Sequence, residues 1–230
     1  MKALVVIPAR GGSKGLPGKN IKLLNGKPLI HYTIDVAREL FADTEIIVST
    51  DSQEIKEIVE QTGLKVPFLR PKSLATDTAT THDVLLHALN WFVKENGEPS
   101  VVILLQPTSP FRTKDHIKGA LNLFNHNIDM VVSVKETESN PYYVLFEDNQ
   151  NGFLIKSKKG NFTRRQDCPK VWEINGAIYI INTASLKKTN INDFVKVKKY
   201  IMDILSSIDI DNIDDFQYCQ YILSNGKKTK

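Results

Sequence analysis

Three features of the sequence predict an α/β fold of three layers with a mostly parallel central sheet. Between residues 4 and 69, short apolar runs that suit strands alternate with amphipathic helical patterns, the signature of a sheet covered by helices. The run V-V-I-L-L at 101–105 is uniformly apolar, as a central parallel strand buried on both faces must be. The 230 residues, 41% apolar and 24% charged, suffice for one substantial core and suit a single domain over 1–230.

The first strand, Leu4–Ile7, breaks into a loop to Asn20 that holds Gly11, Gly12, Gly15 and Gly18 together with Arg10, Lys14 and Lys19. Glycines let backbone N–H groups converge on oxyanions, and the cations add charge, so the loop suits phosphate. It is neither of two common phosphate loops. Walker A would need glycine at Ser13 and Ser or Thr at Asn20, and the dinucleotide fingerprint needs alternating glycines that Gly11, Gly12 and Gly15 do not supply. A basic surface loop without a ligand is the alternative reading.

Lys27–Phe41 carries a broad apolar helical face, and residues 45–50 read as the next strand. Asp51 and Ser52 are candidate caps for a helix with Ile55, Ile58 and Val59 inward, closed by Gly63. Val66–Leu69 is expected to be a short strand, followed by a polar loop over 70–81 and a helix from Thr81 to Lys94. The central strand 101–105 stops at Gln106-Pro107, beyond the end where open α/β sheets place ligands, so this loop and the opening one should share a rim. A helix over 114–124 and a strand over 130–134 follow.

The pattern then changes. Residues 135–168 hold two short segments, 143–146 and 153–155, between turn-forming residues, which reads as a hairpin excursion from the sheet. An arm carrying Tyr142, Tyr143 and Phe146 needs cover; a second subunit is the simplest answer, and folding back as a lid is the alternative. Ile174–Ile181 returns to the core, 187–192 reads as a loop, 195–202 as a strand and 213–223 as a closing helix. Between the last two, Asp209 and Asp211 stand two apart in an extended segment and project to one side, which suits a shared Mg²⁺. Capping of the last helix by Asp211 is the plain alternative and leaves Asp209 unexplained.

Bulk properties narrow the class. No apolar stretch reaches membrane-spanning length and the N-terminus lacks a signal-peptide pattern. The net charge of +4 is dispersed, which favours a small anionic substrate over nucleic acid. Cys168 and Cys219 form neither a disulfide framework nor a zinc cluster, which suits a reducing cytoplasm. Only the closing G-K-K-T-K reads as disordered.

The segments V-I-P-A-R-G-G-S-K-G-L-P-G-K-N (6–20), L-R-P-K-S-L-A-T-D-T-A (69–79), L-L-Q-P-T-S-P-F-R (104–112), R-R-Q (164–166), N-G-A-I-Y-I (175–180) and S-I-D-I-D (207–211), in this order, resemble the acylneuraminate cytidylyltransferases, the CMP-sialic acid synthetases. The resemblance covers nearly the whole chain. It implies a nucleotide-diphospho-sugar-transferase-like fold, a homodimer, Mg²⁺, and CMP transfer from CTP to a nine-carbon 2-keto acid sugar. It further implies that Arg10 and Lys19 contact the triphosphate, with Ala9 and Asn20 near the nucleoside. Arg70, Ala79 and Thr81 match positions near cytosine and ribose. Gln106, Asn175 and Tyr179 match the sugar side, Arg165 an arm that reaches the neighbour's site, and Asp209 and Asp211 the metal carboxylates.

Departures bear on the sugar. Enzymes for N-acetylneuraminate often carry lysine where Tyr142 stands, arginine where Glu173 stands and an acidic residue where Phe162 stands. Arg164, Arg165 or Lys170 are then the basic groups left for recognition. Legionaminate, pseudaminate or a deaminated nonulosonate is at least as well matched as N-acetylneuraminate. Two rivals are a synthetase for the eight-carbon acid Kdo and a non-catalytic nucleotide-binding protein. The retained Arg10, Lys19, Asp209 and Asp211 argue against the second.

Overall fold

The computed structural model describes residues 2–226; most of the closing tail, 227–230, lies outside the described residues. In chain order the elements are β1 (Ala3–Pro8), a small hairpin of β2 (Leu23–Leu24) and β3 (Lys27–Pro28), α1 (Leu29–Arg38), β4 (Ile46–Ser49), α2 (Gln53–Glu60), α3 (Thr81–Asn96), β5 (Val101–Leu105), α4 (Lys114–Leu123), β6 (Met130–Glu136), β7 (Phe146–Asp148), β8 (Leu154–Lys156), β9 (Trp172–Asn182), α5 (Thr183–Lys188), β10 (Val197–Ile201) and α6 (Ile213–Asn225). The main sheet runs β10-β6-β9-β5-β1-β4. Only β9 is antiparallel to its neighbours, so the other five strands end on one rim.

Two apolar layers close the sheet. On one face Ile30 and Ile34 of α1, Ile55 and Val59 of α2 and Ile117 of α4 pack on Val5, Ile7 and Ile103. On the other, Leu85, Leu89 and Phe92 of α3 and Leu186 of α5 pack on Leu4, Val6 and Leu104. Every residue of β5 is fully buried, and each such aliphatic side chain contributes about 1.5–3 kcal/mol. Helix α3 starts at a capping box, in which Thr80 and Asp83 satisfy each other's backbone N–H, and stops at Gly97, which has φ +77°. A third, smaller core joins Leu16 of the opening loop to Ile210, Leu24, Leu29, Phe216 and Cys219.

Several local expectations change. Val66–Leu69 forms no strand but a single parallel bridge, Thr50 to Leu69; Pro67 has no N–H to give a ladder. The helix expected from Lys27 starts at Leu29, because Lys27 and Pro28 pair with Leu23 and Leu24. Within the expected loop 187–192 the structure continues α5 through Lys188, a helix opened by Asn182, which accepts N–H bonds from Ala184 and Ser185. Of the two candidate caps at α2, Ser52 alone serves. Asp211 does not cap α6; Asn212 does, accepting from Asp214 and Asp215 N–H. The hairpin exists, shifted toward the C-terminus, because Asn140 draws Tyr142, Tyr143 and Val144 into a turn. All six residues of its strands are exposed.

Candidate active site

The loops after β1, β5 and β10, together with the segment 70–81 that leads into α3, line a cleft of about 480 Å³ at the rim where the parallel strands end. Arg10, Lys14, Lys19, Asn20, Arg70, Ala79, Thr81, Gln106 and Asp211 line it. The opening loop is fixed there by packing as well as charge. Leu16 shares the third core with Ile210, the residue between the two aspartates. A Cβ on Gly15 would collide with the Asp211 carbonyl oxygen, so only glycine permits this approach.

Charge closes the same contact. Lys19 Nζ donates to the Ile210 carbonyl at 2.8 Å and to Asp211 Oδ1 at 3.1 Å, joining loop and carboxylate segment across 191 and 192 residues. Asn20 is buried and donates to the Arg10 carbonyl at 3.0 Å. Asp77, which sequence reasoning left without a role, pairs with Arg10 at 3.0 Å and Lys14 at 2.7 Å. Lys14 and then Arg10 hold its carboxyl below the usual carboxylate range. Its position amid threonines, opposite in sign to a basic loop, was the available signal.

Asp209 differs from Asp211. It is half-buried, and its Oδ1 is shut off from solvent without a hydrogen-bond partner. Burial pushes its pKa up, with Asp211 and Asp215 acting the same way and Lys19 opposing. The Thr108 hydroxyl nearby also favours its charged form, although neither Thr108 Oγ1 nor Asp209 Oδ1 closes a hydrogen bond of standard geometry. Gly176, at φ +74°, brings the backbone of β9 beside it: a Cβ there would lie 3.4 Å from Asp209 Oδ2 and 3.5 Å from Gln106 Oε1. Tyr179 is near enough that Asp209, after burial, helps hold its phenol protonated.

A bulge makes this wall. The β6–β9 register shifts so that residues 175–178 stand against Ser133 alone. Asn175 staples the bulge from behind: it is buried, Ser133 Oγ donates to its Oδ1 at 2.5 Å, and its Nδ2 donates to Ser207 Oγ at 2.8 Å. Its amide therefore shapes the wall and does not face the cleft. Arg112, quoted in a motif but given no role by sequence, is the second staple. Fully buried without a carboxylate, it donates to the Gln106 carbonyl at 3.0 Å, the Ala177 carbonyl at 2.8 Å and Thr33 Oγ1 at 2.6 Å. Desolvation pushes its pKa down to about 9. Nothing in a lone arginine's sequence context announces such burial.

Ala9 is buried and continues β1, its N–H bonded to the Ser49 carbonyl at 2.9 Å. Arg165 stands apart from the cleft in a second depression of about 720 Å³ with Lys135, Glu138 and Lys170, 3.5 Å from Glu138. Glu173 pairs with Lys135 at 3.2 Å, and Tyr142 and Phe162 meet edge to face at 5.5 Å. His31 and His82 lie in helices α1 and α3. Cys219 is buried, which raises its thiol to about 12 and removes it as a nucleophile.

Among the described residues no group of three or more His, Cys, Asp or Glu is placed to hold a metal. The unpartnered oxygen of Asp209, with Asp211 two residues on, is a donor set of the kind Mg²⁺ takes, one or two carboxylates plus phosphates and water.

A six-stranded α/β sheet with a basic loop and two carboxylates on its ligand rim is suited to holding the phosphates of a nucleotide. The fold is that of CMP:2-keto-3-deoxy-manno-octonic acid synthetase complexed with CTP, with a TM-score of 0.72 at 18% identity over 98% of this chain and 100% of that one. The chain belongs to the cytidylyltransferase family, whose model matches residues 4–229. It is 39% identical over 221 residues, 94% of its length, to an N-acylneuraminate cytidylyltransferase of Streptococcus agalactiae serotype V, and spans 52% of that protein, about half. It is 35% identical to a CMP-N,N'-diacetyllegionaminic acid synthase of Legionella pneumophila, covering 97% of both chains. No helix among the described residues is long and apolar enough to cross a membrane.

Proposed function

We propose that this protein transfers CMP from CTP to the anomeric hydroxyl of a nine-carbon 2-keto acid sugar, a sialic acid or a relative such as legionaminate, and releases pyrophosphate. The observation that carries the reading is the Lys19 bridge to Ile210 and Asp211, which ties the basic loop of the cleft to the segment that bears both carboxylates. The names of the sialate and legionaminate relatives support the sugar class.

In the reaction the anomeric oxygen attacks the α-phosphorus, the bond from that phosphorus to the bridging oxygen breaks, and pyrophosphate leaves with the electron pair. The hydroxyl proton passes to water or a carboxylate. Arg10 and Lys19 hold the triphosphate and offset charge on the leaving oxygens. Arg70, Ala79 and Thr81 receive the base and ribose, and Ala9 and Asn20 set the loop beneath the nucleoside. Gln106 and Tyr179 face the sugar, with Asn175 and Arg112 fixing the wall that carries them. Asp209 and Asp211 would hold Mg²⁺, which when bound supplies Lewis-acid stabilisation of phosphate charge.

Homodimerisation completes the proposal. The arm leaves Phe146, Phe153, Leu154 and Ile155 between 47% and 69% exposed, and β10 with its exit adds Ile201 and Ile204. Apolar surface of this extent on a two-stranded hairpin calls for cover, and a second copy supplies it while bringing Arg165 to a neighbour's sugar. The protein would work in the cytoplasm, where the unpaired Cys168 and Cys219 stay reduced.

The test is pyrophosphate release from CTP and Mg²⁺ with a panel of nine- and eight-carbon keto acids, with UTP and ATP as comparators. Turnover with nine-carbon acids and CTP is expected. Turnover with Kdo and none of the nine-carbon acids would replace this reading with that of a CMP-Kdo synthetase.

A further inference from the structure

Asp51 lies just outside the cleft lining, yet its carboxylate touches both halves of the nucleotide wall. Its Oδ1 accepts the Gly11 N–H at 3.0 Å, in the phosphate loop, and sits 3.6 Å from Arg70 Nη2, on the nucleobase side. The corner that carries it is tied down by hydrogen bonds. Thr50 carbonyl accepts the Arg70 N–H at 2.7 Å, Thr50 Oγ1 accepts the Ser52 N–H at 3.1 Å, and Ser52 caps α2. One oxygen on a fixed corner is therefore shared by two ligand-facing elements.

Both partners depend on it. The Arg70 side chain is 3% exposed, and among the described residues Asp51 is the carboxylate within ion-pair reach of it. Desolvation disfavours the Arg70 charge, Asp51 restores it, and Arg10 repels it. Beside Arg70 the imidazole of His87 is held toward its neutral form by burial and then by the Arg70 charge, so it supplies no counter-charge. On the other side, Gly11 adjoins Arg10, whose carbonyl anchors Asn20. A shift of the Asp51 oxygen must move the phosphate loop and the buried guanidinium together.

We propose that Asp51 is a positioning residue that couples nucleobase recognition at Arg70 to the seating of the triphosphate on the opening loop, and so sharpens the choice of CTP over UTP. The proposal rests on reading the cleft as a CTP site. Because the two contacts need different things from Asp51, a hydrogen-bond acceptor for Gly11 and a negative charge for Arg70, substitution can separate them.

Calorimetric binding of CTP, UTP and inorganic pyrophosphate would be measured on wild type, Asp51→Asn and Asp51→Ala, with steady-state KM and kcat and a melting curve for each. Asp51→Asn keeps an acceptor and loses the charge. It should weaken CTP about tenfold, shrink the CTP/UTP preference, raise KM more than it lowers kcat, and leave pyrophosphate within about twofold of wild type. Asp51→Ala loses both and should also weaken pyrophosphate, by about fivefold. If Asp51→Ala melts below the assay temperature, the CTP/UTP ratio of Asp51→Asn decides. An Asn variant with the wild-type ratio overturns the coupling, as does an equal loss of all three ligands in both variants, which marks a merely structural residue. Wild type that binds pyrophosphate but not CTP overturns the proposed function and this inference with it.

Discussion

The nucleotide wall and the arm are built on opposite principles. Around the cleft, polar side chains are sunk into the fold and tied to one another: Arg70, Arg112, Asn20 and Asn175 are all buried, and Lys19 reaches the far end of the chain. In the arm, apolar side chains stand in solvent, and both strands are exposed throughout. One region spends its interior on polar groups because their geometry is the function. The other leaves apolar groups outside, the surface that the proposed second copy would cover. The contrast fits the proposal made above, in which the CTP half of the site is complete within one chain and the sugar half is open toward a second copy.

The largest break is expected at Asp209. Asp209→Ala should lower kcat/KM by roughly 10³-fold and flatten its Mg²⁺ dependence, with the fold retained by circular dichroism. Stability should move the other way. A carboxyl whose folded pKa lies above its unfolded value contributes stability that is full below the unfolded pKa and lost as pH rises through the folded one. At neutral pH and with a chelator present, Asp209→Asn should therefore melt at a higher temperature than wild type. The gain should vanish as pH falls below the ordinary carboxylate range, where Asp209 is protonated as well. A variant that melts lower at neutral pH would contradict the burial account.

A charge on the arm should separate the two regions. Leu154→Asp together with Ile155→Lys is expected to yield monomers by sedimentation velocity, keep CTP affinity within about twofold, and lose most turnover with sugar. Loss of CTP binding in a folded monomer would show that the nucleotide half is not self-contained.

The smallest effect is expected at Asp77, which pairs with Arg10 and Lys14 on the loop proposed to seat the triphosphate. Pairs this exposed contribute little, so Asp77→Asn should tighten pyrophosphate binding by only about threefold, measured calorimetrically at low salt. Weaker binding would mean that Asp77 orders the loop instead of competing for it.

Sequence periodicity made the layers legible: alternation announced the parallel sheet, and Val101–Leu105 announced its centre with the observed bounds. It failed where one residue's chemistry overrode a pattern. Pro67 cancelled a strand that hydropathy suggested, and Asn182 capped a helix inside what read as a loop. For the site, most of the residues that line the cleft were readable as motifs, because glycines, cations and paired aspartates have distinctive types and spacings. The residues that hold them were not. Arg112, Ser133 and Asp51 work through distances between segments far apart in sequence, and Asn175 was legible as part of a motif but not as the staple of a bulge.

The division between a self-contained nucleotide half and a shared sugar half is tested most directly by mixing two inactive variants, Lys19→Ala and Arg165→Ala, and measuring CMP-sugar formation from the unfolded and refolded mixture. If Arg165 serves its neighbour's cleft, half of the dimers are mixed and each carries one intact site, so about a quarter of wild-type activity should return. A mixture no more active than either variant alone would place Arg165 in its own subunit's site or outside the reaction, and would contradict the account.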